Sequence, residues 1–402
     1  MRASAVSVSH SGVHQAYQLA LAAQESGELD RFYCSVFVAP GKWGAWAQLC
    51  FGKDRLASRQ SNGIAPERVL EHPWPLLRHT LKSRLFPSRA QEWFSEAEQF
   101  DRWVARRLAH SSSRIFVGTE TCAQHSLRVA GAAGMIRVLD CPQWHPAALQ
   151  RVLNEGARRI GRPEVRPLDS EGMARRKEAE FQSADLLLVY SDSHRRSFEQ
   201  AGIPATRLFQ CPLWADPALW FPVERRTAPK GPLRVIFVGN ADLRKGVFFL
   251  LEAAGRCANS VTVTIAGRRS PESAQILNRF NGSFRHVGPQ SKAALREIYG
   301  SQDVLVLPSL ADSFGFVALE AMACGLPVIV SENCGVPVPD PSWRVPLMVS
   351  EAIARRLEYY ADDREALQRD GLRAREFARQ FTPERYREQI KALFRTLLGD
   401  GR

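Results

Sequence analysis

Residues 307–330 read LPSLADSFGFVALEAMACGLPVIV, and this stretch decides the fold class. An apolar strand ends at Pro308, a loop of small and polar residues that includes Gly315 follows, and a helix rich in Ala and Leu is predicted from Phe316. After Gly325, a second apolar run begins at Val328. A strand, a helix and a further strand in this order are typical of a parallel α/β sheet.

Strand-like runs of the same kind recur along the chain, with helical stretches between them. The first series comprises Ala5–Val8, Phe32–Val38, Ile115–Gly118, Ile136–Leu139 and Leu186–Tyr190. The second series comprises Leu233–Gly239, Val261–Ala266, Val304–Leu307 and Val328–Val330. Between them lies a segment with five prolines, 211–232, which can neither continue a helix nor fill a central strand.

This pattern predicts an α/β protein of two Rossmann-like domains, an N-terminal one over 1–210 and a C-terminal one over 233–375, joined by a linker over 211–232. A helix is expected over 376–402, with packing back on the N-terminal domain as one option. In open parallel sheets, ligands bind at the carboxyl ends of the strands. We therefore expect the site in a cleft where the two sets of strand ends face each other.

Composition limits the partners. The 402 residues include 54 Lys and Arg against 42 Asp and Glu, a formal net charge of +12, which favours acidic partners such as phosphates, nucleic acid or an anionic membrane. Since no recognisable nucleic-acid module is present, nucleic acid is the least supported of these. The eight cysteines form no CxxC pair, so neither a zinc site nor a disulfide framework is predicted. With no apolar run typical of a signal peptide or a membrane span, a cytoplasmic protein is expected, either free or peripheral on the inner face of the cytoplasmic membrane.

Several common motifs are absent from the sequence. There is no P-loop, GxGxxG, HExxH or GxSxG motif, which argues against ordinary P-loop nucleotide hydrolases, dinucleotide dehydrogenases, zincins and serine hydrolases. No Asp-x-Asp occurs, so no metal ion and no other cofactor are expected. A bound diphosphate would have to be held by backbone N–H groups and basic side chains.

Groups suited to holding a diphosphate follow the first strand of the C-terminal half. Asn240, Arg244 and Lys245 lie in a polar turn just before a predicted helix, and cations beside a helix N-terminus form a phosphate clamp in physical terms. In residues 307–330, Asp312 lies in the loop and Glu320 about one turn into the helix. The two carboxylates are therefore expected to reach different parts of one ligand.

These residues resemble the retaining glycosyltransferases of family 4. Asp312 and Glu320 match the family's E-x7-E motif in the form D-x7-E, and Ala-Met-Ala-Cys-Gly-Leu-Pro-Val-Ile follows it as in the family. The phrase Leu-Arg-Lys-Gly-Val at 243–247 also falls in the family's order. The resemblance implies the GT-B fold, in which two Rossmann-like domains with parallel sheets face each other across a cleft. It further implies a nucleotide-sugar donor held by the C-terminal domain and a saccharide acceptor held by the other domain.

The resemblance also implies roles for individual residues. Glu320 would bind the donor ribose, Asp312 the hydroxyls of the donor sugar, and Lys245 the diphosphate. His145, which follows a strand end, matches a position where family members place a histidine near the donor sugar. The implied catalytic residues are His145, Asp312 and Lys245, and the implied donor-binding residues are Gly12, Asn240, Arg244, Lys245, Ser313, Phe314, Gly315, Phe316 and Glu320.

The sequence departs from the family pattern at three positions. Asn240 stands where the family often has Arg, with Arg244 as a replacement for that charge. Asp312 stands in place of Glu, and Gly12 alone remains where paired glycines are common. These departures leave two alternatives to a transferase open: a non-catalytic nucleotide-sugar-binding protein of the same fold, and a GT-B nucleotide-sugar epimerase.

A basic stretch in the presumed acceptor domain suggests a further partner. Arg78, Lys82, Arg84 and Arg89 lie between Trp74 and Trp93. Because each basic residue near an anionic surface contributes about 1 kcal/mol of attraction, peripheral membrane binding is a hypothesis here. The acceptor would then be a lipid-linked saccharide, in the synthesis of a cell-surface polysaccharide or glycolipid.

Overall fold

Two parallel β-sheets, one in each half of the chain, organise the computed structural model of the protein. The structure describes residues 5–12, 15–38, 63–78, 93–167, 169–223, 231–257, 260–269 and 271–399. The predicted fold class of two Rossmann-like domains is confirmed.

The first sheet has seven strands in the order β3-β2-β1-β4-β5-β6-β7, and its neighbouring strands are parallel. Strand order reverses between β1 and β4, so the carboxyl ends of these two strands open onto a crevice. The strands are β1 (Val6–His10), β2 (Leu29–Cys34), β3 (Val69–Glu71), β4 (Ile115–Thr119), β5 (Ile136–Asp140), β6 (Leu186–Val189) and β7 (Leu208–Gln210).

The second sheet has six strands in the order β10-β9-β8-β11-β12-β13, again with parallel neighbours. Its strand order reverses between β8 and β11, which places the turn after β8 beside the loop after β11. The strands are β8 (Leu233–Val238), β9 (Val261–Ala266), β10 (Arg285–Gly288), β11 (Val304–Leu307), β12 (Val328–Ser331) and β13 (Arg344–Val345).

Helices cover the sheets. Those of the first half are α1 (Ala16–Glu25), α2 (Trp93–Leu108), α3 (Gln124–Ala132), α4 (Pro146–Arg159), α5 (Glu171–Ser183) and α6 (Asp192–Glu199). Those of the second half are α7 (Val247–Arg256), α8 (Pro271–Leu277), α9 (Lys292–Gly300), α10 (Phe316–Ala323), α11 (Ser350–Asp362), α12 (Arg364–Ala378) and α13 (Pro383–Leu398). Because helices pack on both faces, the central strands β4, β11 and β12 are buried throughout and consist mostly of apolar residues.

The chain ends against the first domain. The continuous helix expected over 376–402 is divided, because α12 ends at Ala378 and α13 starts afresh at Pro383 with Thr382 as its N-cap. Helix α13 packs on α1, and Arg387 lies 2.8 Å from the carboxylate of Glu25.

The linker and the cysteines belong to the packed interior where the structure describes them. Leu213 and Trp220, in the proline-containing segment, are buried in the main core, and residues 224–230 lie outside the described part. The seven described cysteines are buried. No helix within the described residues is long and apolar enough to cross a bilayer.

Candidate functional site

The loop after β11 carries the carboxylate of Asp312. Its Oδ1 accepts a hydrogen bond from the backbone N–H of Gly315 at 3.0 Å, which shapes the turn into α10. Gly315 has a φ of +76°, and a Cβ there would lie 2.6 Å from the Sγ of Cys334. Only glycine fits this position, so the turn fixes where Asp312 and the start of α10 lie.

Lys245 reaches Asp312 from the neighbouring turn after β8. Its Nζ donates a hydrogen bond to Oδ2 of Asp312, and its backbone N–H donates to the carboxylate of Asp242 at 2.9 Å. Burial opposes ionisation of Asp312, but Lys245, with help from Arg244 and the Gly315 N–H, holds the pKa of Asp312 below its usual value. Asp312 is therefore ionised at neutral pH, and the ion pair joins the ends of the two central strands.

Arg244 and Asn240 lie in the same turn but in different surroundings. Arg244 is half-buried and donates to the carbonyl of Ala311 at 3.3 Å, so its guanidinium is held beside the Asp312 loop. Asn240 is exposed, and its carbonyl accepts the N–H of Asp242 at 2.8 Å. Of the two, Arg244 is the residue that the structure brings next to Asp312.

Glu320 lies on α10 and is partly buried. Burial raises the pKa of Glu320 to about 7, against the opposing charge of Lys292. Within the described residues its carboxylate accepts no hydrogen bond, unlike that of Asp312. A carboxylate in this state is suited to accept hydrogen bonds from ligand hydroxyls.

A cavity of about 490 Å³ lies between the two domains and is lined by five of the predicted site residues. Its C-terminal wall comprises Leu213, Arg244, Ala311, Asp312, Ser313, Phe314 and Phe316. Its N-terminal wall includes the ends of β1 and β4, represented by His10 and Thr119. Asn240, Lys245, Gly315 and Glu320 do not line this cavity, although Lys245 and Gly315 bind Asp312, which does.

Gly12 follows β1 at the edge of this crevice. A Cβ at Gly12 would lie 2.8 Å from Nε2 of His10, so a larger residue would displace the imidazole that lines the cavity. His14, on the other side of Gly12, lies outside the described residues. The structure thus places Gly12 behind His10 rather than on the cavity wall.

His145 lies elsewhere. It is the N-cap of α4, its Nδ1 accepts the N–H of Ala147 at 3.3 Å, and its ring packs against Phe181 and Phe198. It lines an adjoining cavity of about 310 Å³ beside Glu178, whose Oε2 lies 3.7 Å from Nε2, and the two cavities share Leu149 and Asp169. Burial lowers the pKa of His145, with Glu178 opposing the shift. This geometry favours a structural role for His145 over contact with a ligand in the interdomain cavity.

The first domain contributes cavity residues that sequence reasoning missed. Glu120 directly follows β4 and Lys177 lies on α5, and both line the interdomain cavity together with Asp169. The end of β5 is Asp140, whose Oδ1 accepts the hydroxyl of Tyr190 at 2.6 Å. Because ligands bind at the carboxyl ends of parallel strands, the position of Glu120 directly after β4 could have indicated it from the sequence. Lys177 carries no such signal.

Part of the chain is similar in sequence to known glycosyltransferases. The model of the family described as glycosyl transferases group 1 matches residues 223–340. The D-inositol 3-phosphate glycosyltransferase of Mycobacteroides abscessus is 35% identical over 137 residues, which cover 32% of this chain and 30% of that protein. Its counterpart from Corynebacterium jeikeium is 29% identical over 181 residues, 39% of this chain and 43% of that protein. The chain thus matches less than half of the length of these curated relatives.

Similar solved structures span nearly the whole chain. Sucrose-phosphate synthase from Thermosynechococcus elongatus superposes with a TM-score of 0.68 at 18% identity, covering 98% of this chain and 99% of the other. HepE of Anabaena, in complex with UDP and glucose, gives a TM-score of 0.63 at 16% identity, covering 97% and 99%.

Two parallel-sheet domains around one cleft define the class of the molecule, which is the GT-B fold. The more particular resemblance to family 4 is supported over residues 223–340, which match the model of glycosyl transferases group 1.

Proposed function

We propose that the protein is a glycosyltransferase that moves a sugar from a nucleotide-sugar donor to an acceptor hydroxyl with retention of configuration. The observation that carries the proposal is the joint placement of Lys245, Asp312 and the Gly315 turn at the carboxyl ends of β8 and β11. In this arrangement a cation, a carboxylate and the N-terminus of α10 lie next to one another.

The donor's diphosphate fits the basic side of this arrangement. Arg244 and Lys245 supply positive charge, and the first N–H groups of α10 have no acceptor within their own helix. Glu320, one turn further along α10, is available to accept ribose hydroxyls. HepE, a neighbour in fold, was crystallised with UDP and with UDP-glucose, which supports a nucleotide-sugar donor by analogy.

The chemistry follows from these charges. As the bond from the anomeric carbon to the diphosphate breaks, negative charge develops on the leaving oxygen, and Lys245, Arg244 and the helix start would stabilise it. Asp312 would accept hydrogen bonds from hydroxyls of the donor sugar with the lone pairs that Lys245 and the Gly315 N–H leave free. A departing phosphate oxygen would take the proton of the attacking hydroxyl on the same face of the sugar, so the anomeric configuration is retained.

Peripheral membrane association stays a prediction. Of the basic stretch, Arg78 is described and positions 79–92 lie outside the described residues, while Trp74 beside it is 65% exposed. A lipid-linked saccharide acceptor, used in polysaccharide or glycolipid synthesis, follows from that hypothesis. Vesicles containing anionic lipid should co-sediment the protein at low salt and release it at high salt.

The proposed function is tested with UDP-, GDP- and dTDP-sugars. A thermal-shift screen identifies the donor, and release of the nucleoside diphosphate then measures turnover, with the product's anomeric configuration read by NMR. Transfer or hydrolysis separates a transferase from a non-catalytic binding protein, and donor re-isolated with an inverted ring centre would identify an epimerase. No binding of any nucleotide sugar would overturn the proposal.

Independence from metal ions is tested in the same assay. The expectation rests on Arg244 and Lys245 taking the place of a cation at the diphosphate. Turnover in EDTA should stay within about twofold of turnover in Mg²⁺, since these two side chains would supply the positive charge that a metal ion otherwise brings to the diphosphate. Loss of activity in EDTA that Mg²⁺ or Mn²⁺ restores would contradict it.

A further inference from the structure

Glu120 is a buried carboxylate on the wall of the interdomain cavity. It follows β4 at the point where strand order reverses, and its side chain is about 1% exposed. Burial raises the pKa of Glu120, while Lys177, which approaches Oε1 at 3.0 Å, and the Gln143 backbone amide oppose the shift. Within the described residues, however, no donor completes a hydrogen bond of normal geometry to Oε2. Because an unpaired buried oxygen is destabilising, this atom is suited to a ligand that brings a donor.

Lys177 is surrounded by three side-chain oxygens of the protein. Its Nζ lies 3.0 Å from Glu120, 2.8 Å from Asp169 and 3.3 Å from Oε1 of Gln143. The first two contacts are ion pairs and the third is a hydrogen bond, so the ammonium is directed at protein oxygens. Two carboxylates also outnumber the single ammonium, so this group of charges offers no free positive charge.

A second buried acceptor faces the same cavity. Gln15, at the start of α1, is 4% exposed and lines the cavity, and its Oε1 has no hydrogen-bond partner within the described part of the chain. Gln15 and Glu120 come from different elements on either side of β1. We call Gln15, Glu120, Asp169 and Lys177 the polyol wall.

We propose that the polyol wall binds the acceptor through hydroxyl groups that donate to Glu120 and Gln15, and that the acceptor group entering the cavity is an uncharged polyol or saccharide, not a phosphorylated one. The inference rests on the proposed transferase function and assigns the substrate class of its second substrate. A sugar hydroxyl can donate to one of these oxygens while a neighbouring hydroxyl of the same ring accepts from elsewhere.

A phosphate monoester is the wrong chemistry for this wall. A phosphate dianion set directly against this wall offers acceptor oxygens and no donor, so it leaves Oε2 of Glu120 and Oε1 of Gln15 unpaired, whereas a hydroxyl in the same place donates to them. It also brings negative charge to a group in which the single ammonium of Lys177 already faces two carboxyl side chains, and repulsion in a buried setting is poorly screened. Arg244, the other Lys or Arg side chain on the described cavity wall, lies on the C-terminal side, where the donor's diphosphate is proposed. On this point the chain differs from relatives named for inositol 3-phosphate.

Matched pairs of acceptors test the inference on the full chain. With the donor identified above, nucleoside diphosphate release is measured with myo-inositol against myo-inositol 3-phosphate, glucose against glucose 6-phosphate, and methyl glucoside. At least one neutral compound should accelerate release, with a kcat/KM at least tenfold above that of its phosphorylated partner. A phosphorylated compound that is preferred, or no acceleration by any neutral compound, overturns the inference.

The variant Glu120→Gln is the second test of the inference. It keeps the size of the side chain and replaces one carboxyl oxygen, which can accept a hydrogen bond, by an amide NH₂ group. The acceptor KM should rise about tenfold while the calorimetric donor Kd stays within twofold. Glu171→Gln, an exposed position at the start of α5, is the matched control and should change neither quantity. A rise in donor Kd equal to the rise in acceptor KM would indicate a merely structural role and overturn the assignment of Glu120.

Failure of the two proposals is distinguishable. A wild-type protein that binds no nucleotide sugar overturns the transferase function, and the acceptor inference falls with it. A protein that binds and hydrolyses the donor but prefers phosphorylated acceptors overturns the polyol wall alone.

Discussion

A single ion pair, between Lys245 and Asp312, joins the turns after β8 and β11. Lys245→Met removes the ammonium and keeps the length of the side chain. We expect the donor Kd to rise about 10- to 100-fold, since a hydrogen bond to a charged group contributes about 1.5–3 kcal/mol. Isothermal calorimetry with the best-binding nucleotide sugar measures it.

Arg256→Met is the control for this loss of charge. Arg256 lies on α7, in an exposed ion pair with Glu351 at 2.7 Å, far less buried than Lys245. Its donor Kd should stay within twofold, because exposed ion pairs contribute little. Equal donor affinity in wild type and Lys245→Met would contradict the proposal that Lys245 binds the diphosphate of the donor.

Glu320 predicts a pH dependence of donor binding. Its pKa of about 7 means that it is mostly protonated at pH 6 and mostly ionised at pH 8. Ribose hydroxyls that donate to the carboxylate favour the ionised form, so affinity rises with pH and levels off above the pKa. We expect binding about tenfold weaker at pH 6 than at pH 8, since the ionised fraction falls about tenfold per unit below the pKa. Calorimetry across this range measures the effect.

The variant Glu320→Gln should abolish that slope. Its amide does not titrate, so donor affinity should be weaker than wild type at pH 8 and nearly constant down to pH 6. Folding stability depends on pH in the opposite direction to donor affinity. Because the carboxyl pKa is raised in the folded protein, the wild type loses stability as pH rises from about 4.5 to about 7, and Glu320→Gln should not show this loss. A wild-type donor affinity that does not change with pH would contradict the assignment of Glu320 to the ribose.

Among the structural elements, the turn into α7 depends on one glycine. Gly246 has a φ of +73°, and a Cβ there would lie 1.9 Å from the carbonyl oxygen of Pro308. Gly246→Ala should cost more than about 2 kcal/mol, because the left-handed conformation alone costs about 1–2 kcal/mol and backbone must also move. The urea midpoint measures the loss, and donor affinity should fall with it because Lys245 is adjacent.

Gly255 provides the control within the same helix. A Cβ there has nothing within 4 Å, and its φ lies outside the left-handed region. Gly255→Ala should be neutral or stabilise by up to about 1 kcal/mol, as expected for alanine in a helix. A similar urea midpoint for the two variants would show that the turn before α7 is not constrained by Pro308.

At the scale of the whole molecule, the last helix closes on the first domain. Phe394 of α13 is buried, and α13 packs on α1. Phe394→Ala should destabilise the protein by about 3–5 kcal/mol through lost burial and a cavity. Leu372→Ala, on α12 and 71% exposed, should stay within about 0.5 kcal/mol. Equal thermal midpoints for the two variants would show that the closure contributes little to stability.

The overall architecture and the C-terminal half of the candidate site were predictable because their signals are local. A strand–turn–helix unit can be recognised from the pattern of a short stretch of sequence. Lys245, Asp312 and Glu320 each lie in the turn or helix that the sequence indicated. Short edge strands such as β7 and β13 escaped prediction, since so few residues carry no periodicity.

The N-terminal half of the site was harder to predict. His145 looked like a strand-end residue, but β5 ends at Asp140, and the following Pro146 at the first helical position makes His145 a helix cap. Nothing local marks Lys177 as a cavity residue, because its partners Glu120 and Asp169 come from other parts of the chain.

The sequence by itself determined the α/β class, the division into two domains and the basic turn that faces a carboxylate loop, because each is encoded by spacing within a few tens of residues. Only the tertiary structure decided that Lys177 is committed to two carboxylates, that Glu120 and Gln15 keep unpaired oxygens in one cavity, and that His145 faces another. The physical reason is that the hydrogen bonds of a buried side chain depend on which side chains from distant parts of the sequence lie beside it. Sheet order and helix packing determine those contacts.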